Sequence, residues 1–272
     1  MELSRLPEIL CYLSGMKYSA IASLVCISAL GLNAHAFPGR DGPRIVLYQP
    51  SIGGQLVNSN LSGANFNGQS MNGIRFMDCD LSNANLQNAA ARGAMFSNSK
   101  MSNTNLSHAR LEGASFNDLT IDHALAKKLQ AVGISFDEVK ISYSNFEMSD
   151  MVGGRISDST IERSTFSGVK LIGGNLFDVD FSHSNLDRAD FTTTRIADAE
   201  FQHSNLDHSS FIGATLTDVI FRNVSLEGAH FHDAIMIDVS FRNTVGLTPE
   251  DFEGACAIDV AGLPAGLTLP RC

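Results

Sequence analysis

The chain has 272 residues, 44% of them apolar and 18% charged, with 29 acids against 19 bases for a formal net charge of −10. An apolar fraction of that size, patterned as it is below, excludes an intrinsically disordered chain. The absence of Trp and the abundance of Gly, Asn, Ser and Asp favour a fold rich in short turns over a helical one.

Residues 1–36 read as a targeting segment. Met16 is an alternative start, Lys17 supplies the positive charge, residues 20–32 form an uncharged apolar run, and Ala34-His35-Ala36 reads as a small-residue cleavage site. The apolar run is short for a bilayer span, so no stable membrane span is expected after cleavage near Ala36; an uncleaved N-terminal anchor is the alternative. Val25 before Cys26 speaks against lipid attachment there. The expected location is periplasmic or secreted. Residues 37–55, with Pro38, Pro43 and Pro50, read as a linker and N-terminal cap, with a strand near Ile45 to Tyr48.

From Leu56 a large apolar residue recurs every fifth position, as at Leu61, Phe66, Met71, Phe76, Leu81 and Leu86. The residue two before it is small or β-branched: Ala64, Cys79, Ala84, Ala94, Ala109, Ala114, Ser184, Ala189, Val219, Val239. A period of five matches neither a plain strand nor a helix. It matches a coil that turns a corner every five residues, with two positions of each pentad inward and three outward. A second period, of twenty, sets the number of sides. Phe181, Phe201, Phe221 and Phe241 form one column; Leu186, Leu206 and Leu226 a second; Phe191, Phe211 and Phe231 a third; Ile196, Leu216 and Met236 a fourth. Four pentads therefore make one coil, and stacked coils bury a core only against their neighbours.

The triplets Ala64-Asn65-Phe66, Ala84-Asn85-Leu86, Ser184-Asn185-Leu186 and Ala189-Asp190-Phe191 carry the resemblance of this chain to the pentapeptide-repeat family. The resemblance covers 56–241 and implies an all-β, right-handed quadrilateral β-helix. At about 4.8 Å per coil, nine or so coils would make a rod on the order of 45 Å long. The repeat region is placed at 56–245.

Two departures are read as helices. At 122–133, Asp122 reads as an N-cap, Leu125, Leu129 and Val132 as one helical stripe and Gly133 as a C-terminal stop. The segment is expected to leave the coil as a short helix, either a tolerated surface insertion or, as the resemblance suggests, a projecting loop like those of family members that inhibit DNA gyrase. At 246–272 a capping helix is expected, with Thr248 as N-cap, Pro249 at the first position, Glu250 and Asp251 in the first turn, and a tail that folds back. Cys256 and Cys272 enclose a loop that a disulfide would close in an oxidising compartment, two free thiols being the alternative; Cys79 sits at an inward position and reads as an inert thiol.

No catalytic signature is present: no HExxH, CxxC, GxSxG, phosphate-binding loop or GxGxxG after a strand. A non-enzyme without catalytic residues, cofactor or metal is expected. His183-Ser184 and His203-Ser204 follow from the repeat, with the serines pointing inward. His183 and His203 should stack, followed by Asn223 and Asn243, as a solvated polar ladder lacking the third ligand a metal site needs. Asp178, Asp198, Asp218 and Asp238 form a second ladder, read as structural because an Asp side chain can bond its own turn. The sequons at Asn105 and Asn223 are by-products of the period.

Residues 1–136 hold 8 acids and 10 bases, a net +2, whereas 137–253 hold 20 acids and 8 bases, a net −12. Function by surface follows, and the candidate partner-binding residues are the outward acids Asp187, Asp190, Glu200, Asp207 and Glu227. The leading expectation is an exported rod that binds a protein of unknown identity, with no direct nucleic-acid contact; its ends allow a homodimer by end-to-end contact. The alternative, implied by the resemblance, is a DNA mimic that inhibits DNA gyrase or topoisomerase through its acidic C-terminal half.

Overall fold

A computed structural model describes residues 54–272 and, of the preceding chain, the backbone of Asn33–Gly39 and Gly42–Tyr48. The rest of the expected targeting segment lies outside the described residues. Strands β1 (Asn33–Gly39) and β2 (Gly42–Tyr48) pair antiparallel as a two-stranded sheet of their own. The expected cleavage site, Ala34-His35-Ala36, falls within β1, and the expected strand near Ile45 within β2.

The remainder is a right-handed β-helix, in which thirteen strands make one parallel sheet. Each coil stacks on the next in a register of twenty: Leu56 pairs with Phe76, Phe76 with Phe96, Phe96 with Phe116 and Phe116 with Phe136. Isolated bridges such as Asn65 to Asn85 and Ser70 to Ala90 continue the ladder on the other sides. The four faces are named here by their central residues: the first runs from Leu56 to Met236, the second from Leu61 to Phe241, the third from Phe66 to Leu226 and the fourth from Met71 to Phe231.

Within a pentad the centre and the residue two before it are buried, and the other three face out. The reason is geometric. At several corners the carbonyl of the centre accepts the N–H three residues on, as Leu61 does from Ala64 (3.0 Å) and Leu81 from Ala84 (2.9 Å). The residue between, two past the centre, then needs a left-handed backbone, as at Gly63 (φ 70°) and Asn83 (φ 60°). Gly, Asn, Asp and His fill most of these positions because they bear left-handed angles at least cost, although Lys128, Glu138, Tyr143, Met148, Arg163, Arg188 and Thr193 take them too. Asn and Asp just before the centre do a different job. Their side-chain oxygens accept the N–H two residues on, as Asn65 does from Asn67 and Asp190 from Thr192, both at 3.0 Å.

The core is a set of aromatic stacks. Phe181, Phe201, Phe221 and Phe241 lie ring on ring at 5.2, 5.1 and 5.0 Å, and Phe191, Phe211 and Phe231 at 4.9 and 4.8 Å. The two stacks meet edge to face, as in Phe221 with Phe231 (6.0 Å, 89°). Inward serines satisfy backbone groups that the corners leave free. The Ser184 hydroxyl donates to the Ile161 carbonyl (2.9 Å) and accepts the Ser164 N–H (3.2 Å); Ser204 donates to Phe181 (2.8 Å).

Both expected helices are corrected. At 122–133 the coil runs on without a break. Strands Ser115–Asp122 and Ser135–Ser142 pair with each other, and Leu125 and Gln130 bridge to the coils above and below. Ala126, Leu129 and Ala131 are buried, whereas Leu125 and Val132 are 50% and 46% exposed. Asp122 ends a strand, and Gly133 is a left-handed corner (φ 68°) like every other. At the C-terminus a four-residue 3-10 turn, Pro249–Phe252, replaces the expected α-helix. The Thr248 N–H and hydroxyl both donate to the Asp251 carboxylate, at 2.7 and 2.9 Å. One residue is inserted here, so Met236 pairs with Ala257 and not with the residue twenty on. Phe252 stacks on Phe231 (5.2 Å) and closes the aromatic column. Beyond it the tail folds back, with Leu263, Leu267 and Leu269 against the core and the Ala257 N–H bonded to the Pro270 carbonyl.

Candidate functional site

Four corners repeat along the rod on nearly the same backbone, yet each carries its own chemistry. The fourth is almost all glycine, with Gly73, Gly93, Gly113, Gly133, Gly153 and Gly173 in turn. The third mixes His108, Lys128, Met148, Arg188 and His208. The second is a stack of planar groups. His123 lies on Tyr143 (5.0 Å), Arg163 sits over the Tyr143 ring (6.0 Å), His183 lies on His203 (5.0 Å), and Asn243 donates to Asn223 (3.1 Å). Among the described residues no group of three His, Cys, Asp or Glu converges for a metal ion.

The first corner is acidic. Asp118, Glu138, Asp158, Asp178, Asp198, Asp218, Asp238 and Asp259 occupy it in consecutive coils, every one with φ between 47° and 55°. Seven intervals of about 4.8 Å make this rail on the order of 34 Å long. Among the described residues none of the eight is in an ion pair, while Glu112, Asp122, Glu147, Glu162, Asp187 and Asp251 are. The backbone requirement does not explain the charge. Asn58 and Asn98 hold the same conformation at the same corner in the first coils. Like charges side by side on a sheet repel, so the rail costs stability that Asn would not.

Beside the rail, the first face of the last coils carries a largely apolar row, next to a mixed one of Asn175, Arg195, Thr215 and Ile235. Phe177, Ala197, Thr217, Ile237 and Ile258 are register partners in succession, one residue before each of the last five rail carboxylates. Phe177 is 49% exposed and Ile235, on the same face, 40%.

The five acids expected to form the binding face do not share one. Asp187, Asp207 and Glu227 stack on the third face, Asp190 lies on the fourth and Glu200 on the second. Several are engaged within the protein. Asp187 pairs with Arg188 and with His208, Asp207 accepts the Ser225 hydroxyl and the Glu227 N–H, and Asp190 accepts the Thr192 N–H. The ladder of Asp178, Asp198, Asp218 and Asp238, read from sequence as bonding its own turns, is instead the middle of the rail. The turn-bonding carboxylates are those just before a centre, such as Asp80, Asp180 and Asp190. Extending the column of twenty back to Asp158, Glu138 and Asp118 would have exposed most of the rail in the sequence, whereas the inserted residue near the C-terminus takes Asp259 out of that column.

The structure joins Cys256 and Cys272, whose Cα atoms are 4.9 Å apart, fastening the tail to the last coil. Cys79 is a buried free thiol. Burial raises its pKa above the usual cysteine value, and its S–H points at the Leu56 and Met77 carbonyls (3.4 and 3.3 Å). No helix of the described residues is long and apolar enough to cross a membrane.

A family model described as the pentapeptide repeat region matches residues 54–125 and 174–245. Comparison with curated proteins returns no match. Among solved structures, HetL, a pentapeptide repeat protein involved in heterocyst differentiation regulation from the cyanobacterium Nostoc sp. strain PCC 7120, is 18% identical. That alignment covers 78% of this chain and 88% of HetL, with a TM-score of 0.37. Full-length QnrB1, a plasmid-mediated fluoroquinolone resistance protein, is 15% identical over 76% of this chain and 94% of its own, at a TM-score of 0.42. Rfr23 from the cyanobacterium Cyanothece 51142 is 20% identical over 41% and 63%, at 0.20. These likenesses are of fold alone. Most of the departing stretch 122–133 lies between the two matched blocks, and there the structure carries the same coil through.

Proposed function

Because the chain belongs to the pentapeptide-repeat family, we propose that it is a non-enzymatic, exported rod whose work is to bind a protein partner through its acidic C-terminal half. The observation that carries this reading is the rail, eight carboxylates without an ion-pair partner at consecutive turns of one corner. Stacked coils hold these charges at fixed spacing, so little side-chain order has to be imposed on binding. Export is supported by the apolar run and the small-residue site Ala34-His35-Ala36 and by the Cys256 to Cys272 bond, which suits an oxidising compartment.

Two measurements test it. N-terminal sequencing of the native protein from fractionated cells should give a chain beginning near Phe37 outside the cytoplasm. Pull-down from the same fraction should return a partner that a variant with Asn at Asp178, Asp198, Asp218 and Asp238 fails to retain. A full-length cytoplasmic chain would overturn export and favour the second reading, nucleic-acid mimicry against a topoisomerase, which rests on the same acidic half. An unchanged partner set with an aggregation-prone variant would reduce the rail to a solubility device.

A further inference from the structure

Resting on the reading of the rod as a protein-binding surface, we propose that the acidic corner and the apolar strip beside it form one docking track for a basic amphipathic helix lying along the rod axis. Two adjacent rows define the track. The row of Phe177, Ala197, Thr217 and Ile237 is apolar except for the Thr217 hydroxyl, and the next residue in each coil is a rail carboxylate. An amphipathic helix with Lys or Arg beside its apolar stripe is the complement, since a helix also carries such stripes as neighbouring rows along its length.

The spacings agree. A helix presents one stripe position per turn of about 5.4 Å, close to the roughly 4.8 Å between coils, and long flexible Lys and Arg side chains absorb the difference. The stretch that carries both rows, from Phe177 to Asp259, spans four coil intervals, on the order of 19 Å, and corresponds to about 13 helical residues at 1.5 Å each. Orientation follows from the shape of the face. Across the rod it is only a few residues wide, so an extended contact with both rows must run along the axis. A second copy of this chain does not supply the complement, because among the described residues no corner carries a run of cations: the third interleaves Lys128, Met148, Gly168 and Arg188. On the third face Asp187 is already paired with Arg188, and Asp207 accepts the Ser225 hydroxyl and the Glu227 N–H, so a cationic helix gains less there.

The test uses the full chain and a labelled synthetic peptide of the length above, with Lys at each turn beside a Leu stripe, together with a shuffled peptide of the same composition. Binding is read by fluorescence anisotropy at physiological salt. Two variants lose the same net charge: Asn at Asp178, Asp198, Asp218 and Asp238, or Asn at Asp187, Asp190 and Asp207 with Gln at Glu227. Asn tolerates a left-handed corner at least as well as Asp, so the first variant keeps its fold, which circular dichroism verifies. The expected result is a loss of at least about tenfold for the rail variant, under about threefold for the other, and weaker binding of the shuffled peptide to the wild type. Phe177→Ser should also weaken the patterned peptide. Equal losses in the two charge variants, equal binding of both peptides, or no binding of the patterned peptide would overturn the track. None of these outcomes depends on whether a native partner is recovered by pull-down, so the broader reading stands or falls separately.

Discussion

Replacing Phe211 by Ala gives the most demanding test of the inward assignment. The ring is fully buried, lies between Phe191 at 4.9 Å and Phe231 at 4.8 Å, and meets Phe201 and Phe221 edge to face at 6.4 and 5.8 Å. Truncating a buried Phe costs about 3–5 kcal/mol from transfer and cavity terms, and each aromatic contact adds about 0.5–1.5 kcal/mol. Collapse into the cavity is opposed by the backbone ladder, which fixes the coil spacing, so the loss should fall near the upper end, about 4–5 kcal/mol. The assay is equilibrium urea unfolding followed by far-ultraviolet circular dichroism. Hydrogen exchange accompanies it, because a stack of repeats can open locally before it unfolds as a whole. Exchange should accelerate first in the coils around 191–231. The exposed change Arg222→Ala should cost less than about 0.5 kcal/mol. A Phe211→Ala loss below about 1.5 kcal/mol, or comparable losses at both positions, would refute the packing account.

Leu129→Asp should destabilise the rod by several kcal/mol, on the order of 3 or more, while Leu125→Asp changes stability little; equal effects in a urea titration would restore a helix at 122–133. Loss of the Cys256 to Cys272 bond through Cys272→Ser should cost about 3 kcal/mol of local stability at the last coil, read as faster hydrogen exchange around Cys256–Ile258, and non-reducing mass spectrometry of the wild type should show neither cysteine alkylated. Asp122 accepts hydrogen bonds from His123 (2.9 Å) and the Ser142 hydroxyl (2.7 Å), which hold its carboxyl below the usual range. A depressed carboxyl adds stability above its unfolded pKa of about 3.9 and loses it as pH falls through the folded value, so Asp122→Asn should cost under about 1 kcal/mol at neutral pH and progressively less below pH 4 in thermal melts.

The periods of five and twenty made the inward columns readable, because every centre from Leu56 to Phe241 is a side chain the core must hold. They failed where the contrast between inside and outside reverses. In the coil at 122–133 the centres are the small Ala126 and Ala131, while Leu125 and Val132 face water, so the largest apolar residues trace a helical spacing by accident. Near the C-terminus the capping signals at Thr248 and Asp251 were genuine, but Gly254, left-handed at φ 75°, stops the turn after four residues. The tail then bends at Gly262, where a Cβ would strike the Phe241 carbonyl oxygen. The rail stayed hidden for a different reason. Asn and Asp are enriched at two positions of the pentad, before the centre to bond the turn and after it to bear left-handed angles, and composition does not separate the two roles.

That separation bears on function. Two residues past the centre the backbone asks only for a left-handed conformation, and the protein meets it with carboxylates at the first corner, rings and Asn at the second, a mixture that includes cations at the third and Gly at the fourth. Since the conformation is nearly constant, with φ of 51° at Asp178 and 65° at Gly173, fold stability does not choose among these chemistries beyond the modest preferences of the left-handed region. A charge at a corner is therefore close to a free choice, apart from the repulsion it meets from the coil above and below. Dispersed acids would keep the rod soluble with less repulsion than eight in a row, since interactions between exposed charges fade beyond about 10 Å. Concentration on one corner raises that cost and sharpens the field along a single line, the arrangement expected if the line is what a cationic partner reads.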